Sequence, residues 1–267
     1  MIANMLLATD IGNTQIVFGA YEGQRLMADW RISTQPQRTA DEYAVLLENL
    51  LFQKKLSITQ ISEGIISCVV PPLLSAFLEM YRDHAGVEPL VVGPGVRTGL
   101  NIHYDEPRDV GADRVACAVA VRHHYGTPAI VIDFSSTATI FDAISATGDY
   151  LGGAIAPGIA ISAEALFRHA AKLPRVELVR PREAIGRNTV ASIRSGLTYG
   201  HIGLVEGMVA RFQRELGGGA RVIATGGLSA IIANEIGAIE AIDPNLTLKG
   251  LKLIYDMNRD FSPGKNP

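Results

Sequence analysis

"LLATDIGNTQIVFGAYEG", residues 6–23, decides how the chain is read. An apolar run stops at Asp10, turns through Gly12-Asn13-Thr14, and resumes as a second apolar run. A carboxylate at the tip of a buried strand loses solvation unless a cation or hydrogen-bond donors meet it. The pattern returns in "AIVIDFSSTATIFDAIS", residues 129–145. Laid over it without a gap, Asp10 meets Asp133, Thr14 meets Thr137 and Phe18 meets Phe141. Self-similarity on this scale implies duplicated domains, not a short-repeat array.

Outward from Asp10, residues 5–9 and 15–20 read as strands and "RLMADWRIST" (25–34) as a third, an antiparallel meander. "TADEYAVLLENLLFQKK" (39–55) has the capping box Thr39 and Glu42 ahead of helical apolar spacing. "GIISCVV" (64–70) has the β-branched run of a buried parallel strand. "PPLLSAFLEMYRDHAG" (71–86) reads as a helix opened by two prolines and ended by Gly86, and "PLVVG" (89–93) as another strand. A loop rich in Gly, Asp and Pro (94–111) leads into the helix "ADRVACAVAVRHHYG" (112–126). Then the pattern restarts. Helices follow at about 159–172 and 189–216, the second capped by Asn188 or Thr189, and "ARVIATGG" (220–227) reads as a strand. The order predicts α/β domains.

The chain's 267 residues suffice for one large domain or two moderate ones. With 48% hydrophobic and 19% charged residues it builds a core instead of remaining disordered. A net charge of −3 and the lack of a polybasic run give no reason to expect nucleic acid or an anionic membrane as partner. Cys68 and Cys117 each sit in an apolar stretch and read as buried reduced thiols; no CxxC or zinc spacing occurs. "MIANMLLATD" has no basic run and is interrupted by Asp10, so no signal peptide is expected. The uncharged stretches 65–78 and 150–163 contain Pro or several Gly and fall short of the ~18 residues a spanning helix needs. A soluble cytoplasmic protein is expected.

The turns Gly12-Asn13-Thr14 and Ser135-Ser136-Thr137 offer N–H and hydroxyl donors without bulk, which suits phosphate oxygens. Asp10 and Asp133 could hold a cation directly or through water. One such Asp is weak evidence, because Asx-turns are common. A pair on two strand tips points toward a ligand cleft. No GxGxxG follows the first strand and no GxxxxGK[ST] occurs. In "YDEPRDVGADR" (104–114), Gly111-Ala112 permits close backbone approach, with Asp113 and Arg114 at a helix start. Asp113 reads either as a first-turn acid favoured by the helix dipole or as a base for a substrate hydroxyl. In "GRNT" (186–189), Arg187 is a phosphate fork or an exposed helix-start residue, and Thr189 a cap or a ligand hydroxyl. "ATGG" (224–227) approaches a nucleotide base or simply connects elements. The six histidines form no HxxxH or HExxH pattern.

Taken in order, Asp10-Ile11-Gly12-Asn13-Thr14, Tyr104 with Gly111 to Arg114, Asp133 with its Ser/Thr turn, "GGAIAPGI" (152–159), "GRNT", "ATGG" and the closing "LTLKGLKLIYDMN" (246–258) resemble type III pantothenate kinase over nearly the whole chain. The resemblance implies the actin-like architecture of the acetate and sugar kinase superfamily. That is two ribonuclease H-like domains, here 1–114 and 115–267, with the active site in the cleft between them, in a homodimer. It implies ATP-dependent phosphorylation of pantothenate, the first step of coenzyme A biosynthesis, with Mg²⁺ and a monovalent cation, K⁺ or ammonium. Carried over, Asp10, Ile11, Gly12, Asn13, Thr14, Gln15, Ile16 and Val17 form the first phosphate loop. Tyr104, Gly111, Ala112, Asp113, Arg114 and Thr189 line the pantothenate pocket, with Asp113 as general base. Asp133 resembles the monovalent-cation ligand, and Ser136 stands where the second loop touches ATP. That loop usually reads Asp-Phe-Gly-Thr-Ala-Thr-Thr-Phe-Asp; "DFSSTATIFD" is one residue longer, with Ser135 in the glycine's place. Because members of the family are also described as accessory factors for transcription, a catalytically weakened regulator of the same fold is the alternative expectation.

Overall fold

The computed structural model describes residues 5–259, the side chains of Ala230 and Ile231 apart; Met1–Asn4 of the amino-terminal stretch read above lie outside them. β1 (Met5–Ile11), β2 (Gln15–Glu22) and β3 (Arg25–Ser33) form the expected meander. α1 (Ala40–Gln53) begins at the predicted capping box: the Thr39 hydroxyl accepts the Glu42 N–H, and the Glu42 carboxylate accepts the Thr39 N–H at 2.8 Å. β4 (Ile61–Cys68) runs parallel to β1, as its continuous apolar run requires. α2 (Pro71–Met80) passes into a wider π turn over Tyr81–Ala85 that ends at Gly86 in the left-handed region, φ 67°. β5 (Leu90–Val91) completes a sheet of order β3-β2-β1-β4-β5. One face of it buries Leu7, Ile11, Phe18 and Ile66 against Tyr43, Leu47 and Phe77 of α1 and α2. Each such side chain contributes about 1.5–3 kcal/mol.

α3 (Ala112–His124) then leads into the repeat. β6 (Ala129–Phe134), β7 (Ala138–Ile144) and β8 (Tyr150–Pro157) form a second meander, followed by α4 (Ile159–His169) and the long α5 (Thr189–Glu215). β9 (Arg221–Thr225), the short α6 (Ser229–Ile232), β10 (Ala241–Ile242) and α7 (Leu246–Asn258) close the chain. The second sheet has the order β10-β9-β6-β7-β8, the first sheet's order repeated. The registers repeat as well. Asp10 pairs with Val17 and Asp133 with Ile140 across the hairpins; in the parallel strands Asp10 lies beside Ser67 and Asp133 beside Thr225. A mixed five-stranded sheet of this order, present twice, is the ribonuclease H-like arrangement that the resemblance implies.

Of the described residues, those up to Gly99, Glu106–Ala120 and those from Thr247 on form one compact unit; Leu100–Asp105 and Val121–Leu246 form the other. The first unit is thus assembled from three stretches of chain. In it, a side chain on Gly19 of β2 would fall 2.9 Å from Leu248 of α7. Both cysteines are free thiols. Among the described residues no helix is long and apolar enough to cross a membrane.

Candidate active site

In the first unit, Asp10 ends the row of β1 that begins with the buried Leu6 and Ala8, and is itself partly exposed. Ile11 and Ile66 belong to the core under α1 and α2, so Asp10 and its parallel neighbour Ser67 project from the opposite face. The turn between β1 and β2 is tight. The Gly12 N–H donates to Gln15 O at 3.0 Å, a β-carbon on Gly12 would stand 2.9 Å from that oxygen, and the Thr34 hydroxyl donates to Gly12 O at 2.6 Å. Asn13, Thr14 and Gln15 are exposed at its tip, whereas Ile11 and Ile16 are fully buried and can offer a ligand only their main chain.

The Ser67 hydroxyl is buried with no hydrogen-bond partner among the described residues. Next to it, burial pushes the Cys68 thiol up; a hydrogen bond to Val70 O opposes the shift and the Asp10 charge adds to it. Asp10 and Ser67 therefore put hard oxygen donors on one face, a set that suits Mg²⁺ retaining water and shared with a phosphate. No three His, Cys, Asp or Glu side chains among the described residues cluster as a metal cage.

The start of α3 belongs to the same unit. The Val69 N–H donates to Ile11 O at 3.0 Å, and a β-carbon on Gly111 would lie 3.6 Å from Val69, so the ends of β1 and β4 meet the residues that open α3. The same β-carbon would collide with Asp113 Oδ1, which accepts the Arg114 N–H at 2.8 Å. Asp113 is half-buried, and burial raises its carboxyl above the ordinary value while the Arg114 N–H and guanidinium oppose the shift. Arg114 itself is buried. The glycine and the acid thus depend on each other: a side chain at position 111 would displace the Asp113 carboxylate from this position.

In the second unit, Asp133 stands beside Thr225, and the glycine that follows, Gly226 at φ 91°, leaves no space for a β-carbon against Asp133 Oδ1. Gly226 of "ATGG" is therefore a space requirement of Asp133 and of the Phe134 main chain beside it. Asp133 and Thr225 offer oxygen donors again, suited to a hard cation. The turn after β6 is seated on the start of α4. Thr137 O accepts the Gly158 N–H at 3.0 Å and Ser136 O the Ile161 N–H at 3.3 Å; a side chain on Gly158 would strike the turn's main chain at 2.7 Å. The Ser135 hydroxyl donates to Ala138 O at 2.9 Å and closes the turn. Among the described residues Lys55 is the non-glycine at positive φ, so Ser135 replaces the family's glycine without backbone strain. Gly12-Asn13-Thr14 and Ser135-Ser136-Thr137 span equal gaps between their strands.

Tyr104 is also in this unit, half exposed, its ring 3.5 Å from where a β-carbon of Gly152 (φ 118°) would lie. At the start of α5 the choice of cap is settled: Asn188 Oδ1 accepts the Ala191 N–H at 2.9 Å, leaving the Thr189 hydroxyl exposed. Thr189 lines a cavity of about 680 Å³ with Leu166, Leu173, Gly186 and Arg187. Arg187 is 84% exposed and 3.7 Å from Glu183, a solvent-side pair of little energetic weight. Ser67 is not singled out by sequence, whereas Thr225 and Gly158 lie within the motifs "ATGG" and "GGAIAPGI" read there; strand register places Ser67 and Thr225 beside the aspartates.

The sequence model of the type III pantothenate kinase family matches residues 6–211. A type III pantothenate kinase of Moorella thermoacetica is 52% identical over 254 residues, covering 95% of this chain and 100% of that protein. One from Geobacter sulfurreducens is 51% identical over 256 residues, covering 96% and 100%. Among solved structures, MreB5 of Spiroplasma citri bound to ADP has a TM-score of 0.55 at 12% identity, covering 98% of this chain and 100% of that one, a likeness of fold alone. The repeated strand order, the duplicated aspartates and this identity along nearly the whole chain lead to one conclusion: the chain belongs to the type III pantothenate kinase family.

Proposed function

We propose that the protein transfers the γ-phosphoryl group of ATP to the primary hydroxyl of pantothenate, giving 4'-phosphopantothenate and ADP in the first step of coenzyme A biosynthesis. The observation that carries the assignment of roles is Asp113: a half-buried carboxyl of raised proton affinity, hydrogen-bonded at a helix start and set close against Gly111. In the transfer the pantothenate oxygen bonds to the γ-phosphorus as the bond to the bridging oxygen of ADP breaks, and the hydroxyl proton passes to Asp113.

Asp10 to Val17 supply the first phosphate loop. Asn13, Thr14 and Gln15 act by exposed side chains; Ile11, Gly12 and Ile16 act by main chain. Ser136 supplies the second loop's contact. Gly111, Ala112 and Arg114 of the first unit, and Tyr104 and Thr189 of the second, are the residues assigned to pantothenate. Asp10 with Ser67 would hold the Mg²⁺ that accompanies ATP, and Asp133 would hold the monovalent cation, K⁺ or ammonium. Bound Mg²⁺ neutralises phosphate charge. The working form is a cytoplasmic homodimer without nucleic-acid or membrane partners.

ADP release by the purified protein tests this reading. It is expected to require pantothenate and Mg²⁺ and to rise with K⁺ or ammonium over Na⁺. Release indifferent to pantothenate would remove the substrate assignment.

A further inference from the structure

The buried stripe of α5 includes Leu197, Ile202, Val205 and Val209, and in their company stands an imidazole, His201. It is 7% exposed, and burial lowers its pKa, so the ring is neutral at physiological pH. His201 Nε2 is hydrogen-bonded with Thr139 Oγ1 at 2.8 Å, and Thr139 is itself 1% exposed. The His201 ring also lies 6.3 Å from that of Phe134, tilted by 53°. Phe134 and Thr139 are cross-strand partners, the last pair of β6 and β7 before the turn that carries Ser136. Asp133 immediately precedes Phe134. One side chain from α5 therefore grips both stems of the second loop at its base, while α4 holds the main chain at its tip.

A leucine or phenylalanine would fill this place in the stripe without the cost of burying a ring nitrogen. What only the imidazole adds is the bond to Thr139. We propose that His201 is a positioning residue for phosphoryl transfer: through Thr139 it sets the seat of the second phosphate loop, so that Ser136 and Asp133 keep the geometry that ATP and its cation require. The inference rests on the kinase reading above and adds to it a residue that touches neither substrate.

The test compares H201L, H201Q, T139V and the T139V/H201L double variant, with melting temperature measured beside steady-state kinetics and calorimetric titration of Mg·ATP. H201L is expected to raise KM for ATP, and weaken ATP binding, by about tenfold, the loss of one hydrogen bond. KM for pantothenate stays within about twofold, because that pocket uses other residues. H201Q, which keeps a hydrogen-bonding group, restores most of the ATP affinity. T139V reproduces H201L, and the double variant is no worse than either single one. If H201L unfolds, the T139V and H201Q comparison decides the matter. Wild-type ATP affinity in a folded H201L or T139V overturns the proposal, as does a loss shared equally by both substrates. A wild-type protein that binds ATP without phosphorylating pantothenate overturns the substrate assignment instead, and the ATP titration still reads the role of His201.

Discussion

Gly226 and Asp133 touch: no β-carbon fits between the glycine's α-carbon and Asp133 Oδ1. The glycine is also at φ 91°, where side chains strain the backbone. Gly226→Ala is therefore expected to move the carboxylate as well as to cost about 1–3 kcal/mol of strain. If Asp133 holds the monovalent cation, the K⁺ or ammonium concentration for half-maximal activity rises about tenfold or more in this variant. A cation titration of initial rates checks it; an unchanged cation requirement would detach Asp133 from that role.

Asp113 makes a prediction whose sign follows from its proton affinity. Its carboxyl is raised by folding, burial being the largest cause. The protonated form is thus favoured in the fold, and that stabilisation is full below the ordinary carboxylate value of about 3.9. It is lost as pH rises through the folded value, so the ionised group costs stability at neutral pH. Asp113→Asn is expected to melt higher than the wild type at neutral pH and to lose the advantage toward about pH 4. Turnover falls about 10²–10⁴-fold while pantothenate still binds. Melting curves across pH, with a pantothenate titration, check both halves. In the wild type the acid limb of kcat/KM lies above the ordinary carboxylate value.

Ser67 carries a buried hydroxyl with no hydrogen-bond partner among the described residues. Removing it strands no donor, so Ser67→Ala is expected to leave ligand-free stability unchanged or raised, by at most about 1 kcal/mol. If the oxygen serves the water shell of Mg²⁺ beside Asp10, KM for Mg·ATP rises severalfold in the same variant. Urea denaturation and an Mg·ATP titration separate the two effects.

Tyr81 offers a control on the core face of β1, opposite the face that carries Asp10. Its buried hydroxyl donates to Leu7 O at 2.9 Å and pairs with Thr9 Oγ1 at 2.7 Å, tying the π turn to β1. Tyr81→Phe leaves both oxygens short of a partner, and stability is expected to fall by about 1–3 kcal/mol. The value of kcat is expected to stay at the wild-type level.

The duplicated hairpins were legible because polar and apolar residues alternate with matching spacing around Asp10 and Asp133, and strand pairing then reproduces the registers Asp10–Val17 and Asp133–Ile140. The cap of α1 was legible for a local reason: Thr39 and Glu42 satisfy each other within one turn. β8 was not legible as a strand, since "YLGGAIAP" mixes glycines with an edge position that leaves alternate residues exposed. Nor does any local pattern place Leu248 under Gly19, a contact fixed only when the chain returns to the first unit. Within the candidate site, the acids stood out, and of their supports only the small-residue motifs around Gly111 and Gly226 did. Ser67, Thr225 and His201 matter through neighbours on other elements, which spacing along the chain does not encode. Ser135 is the reverse case: a departure from the family's glycine that reads as a backbone problem, in a turn where no positive φ is needed.

The most direct test of the central claim is phosphorus NMR of the purified protein with Mg·ATP, K⁺ and pantothenate. The account predicts a phosphomonoester resonance growing in step with ADP, absent without pantothenate and strongly slowed in Asp113→Asn. ATP left unconsumed, or ADP accompanied only by inorganic phosphate, would contradict it.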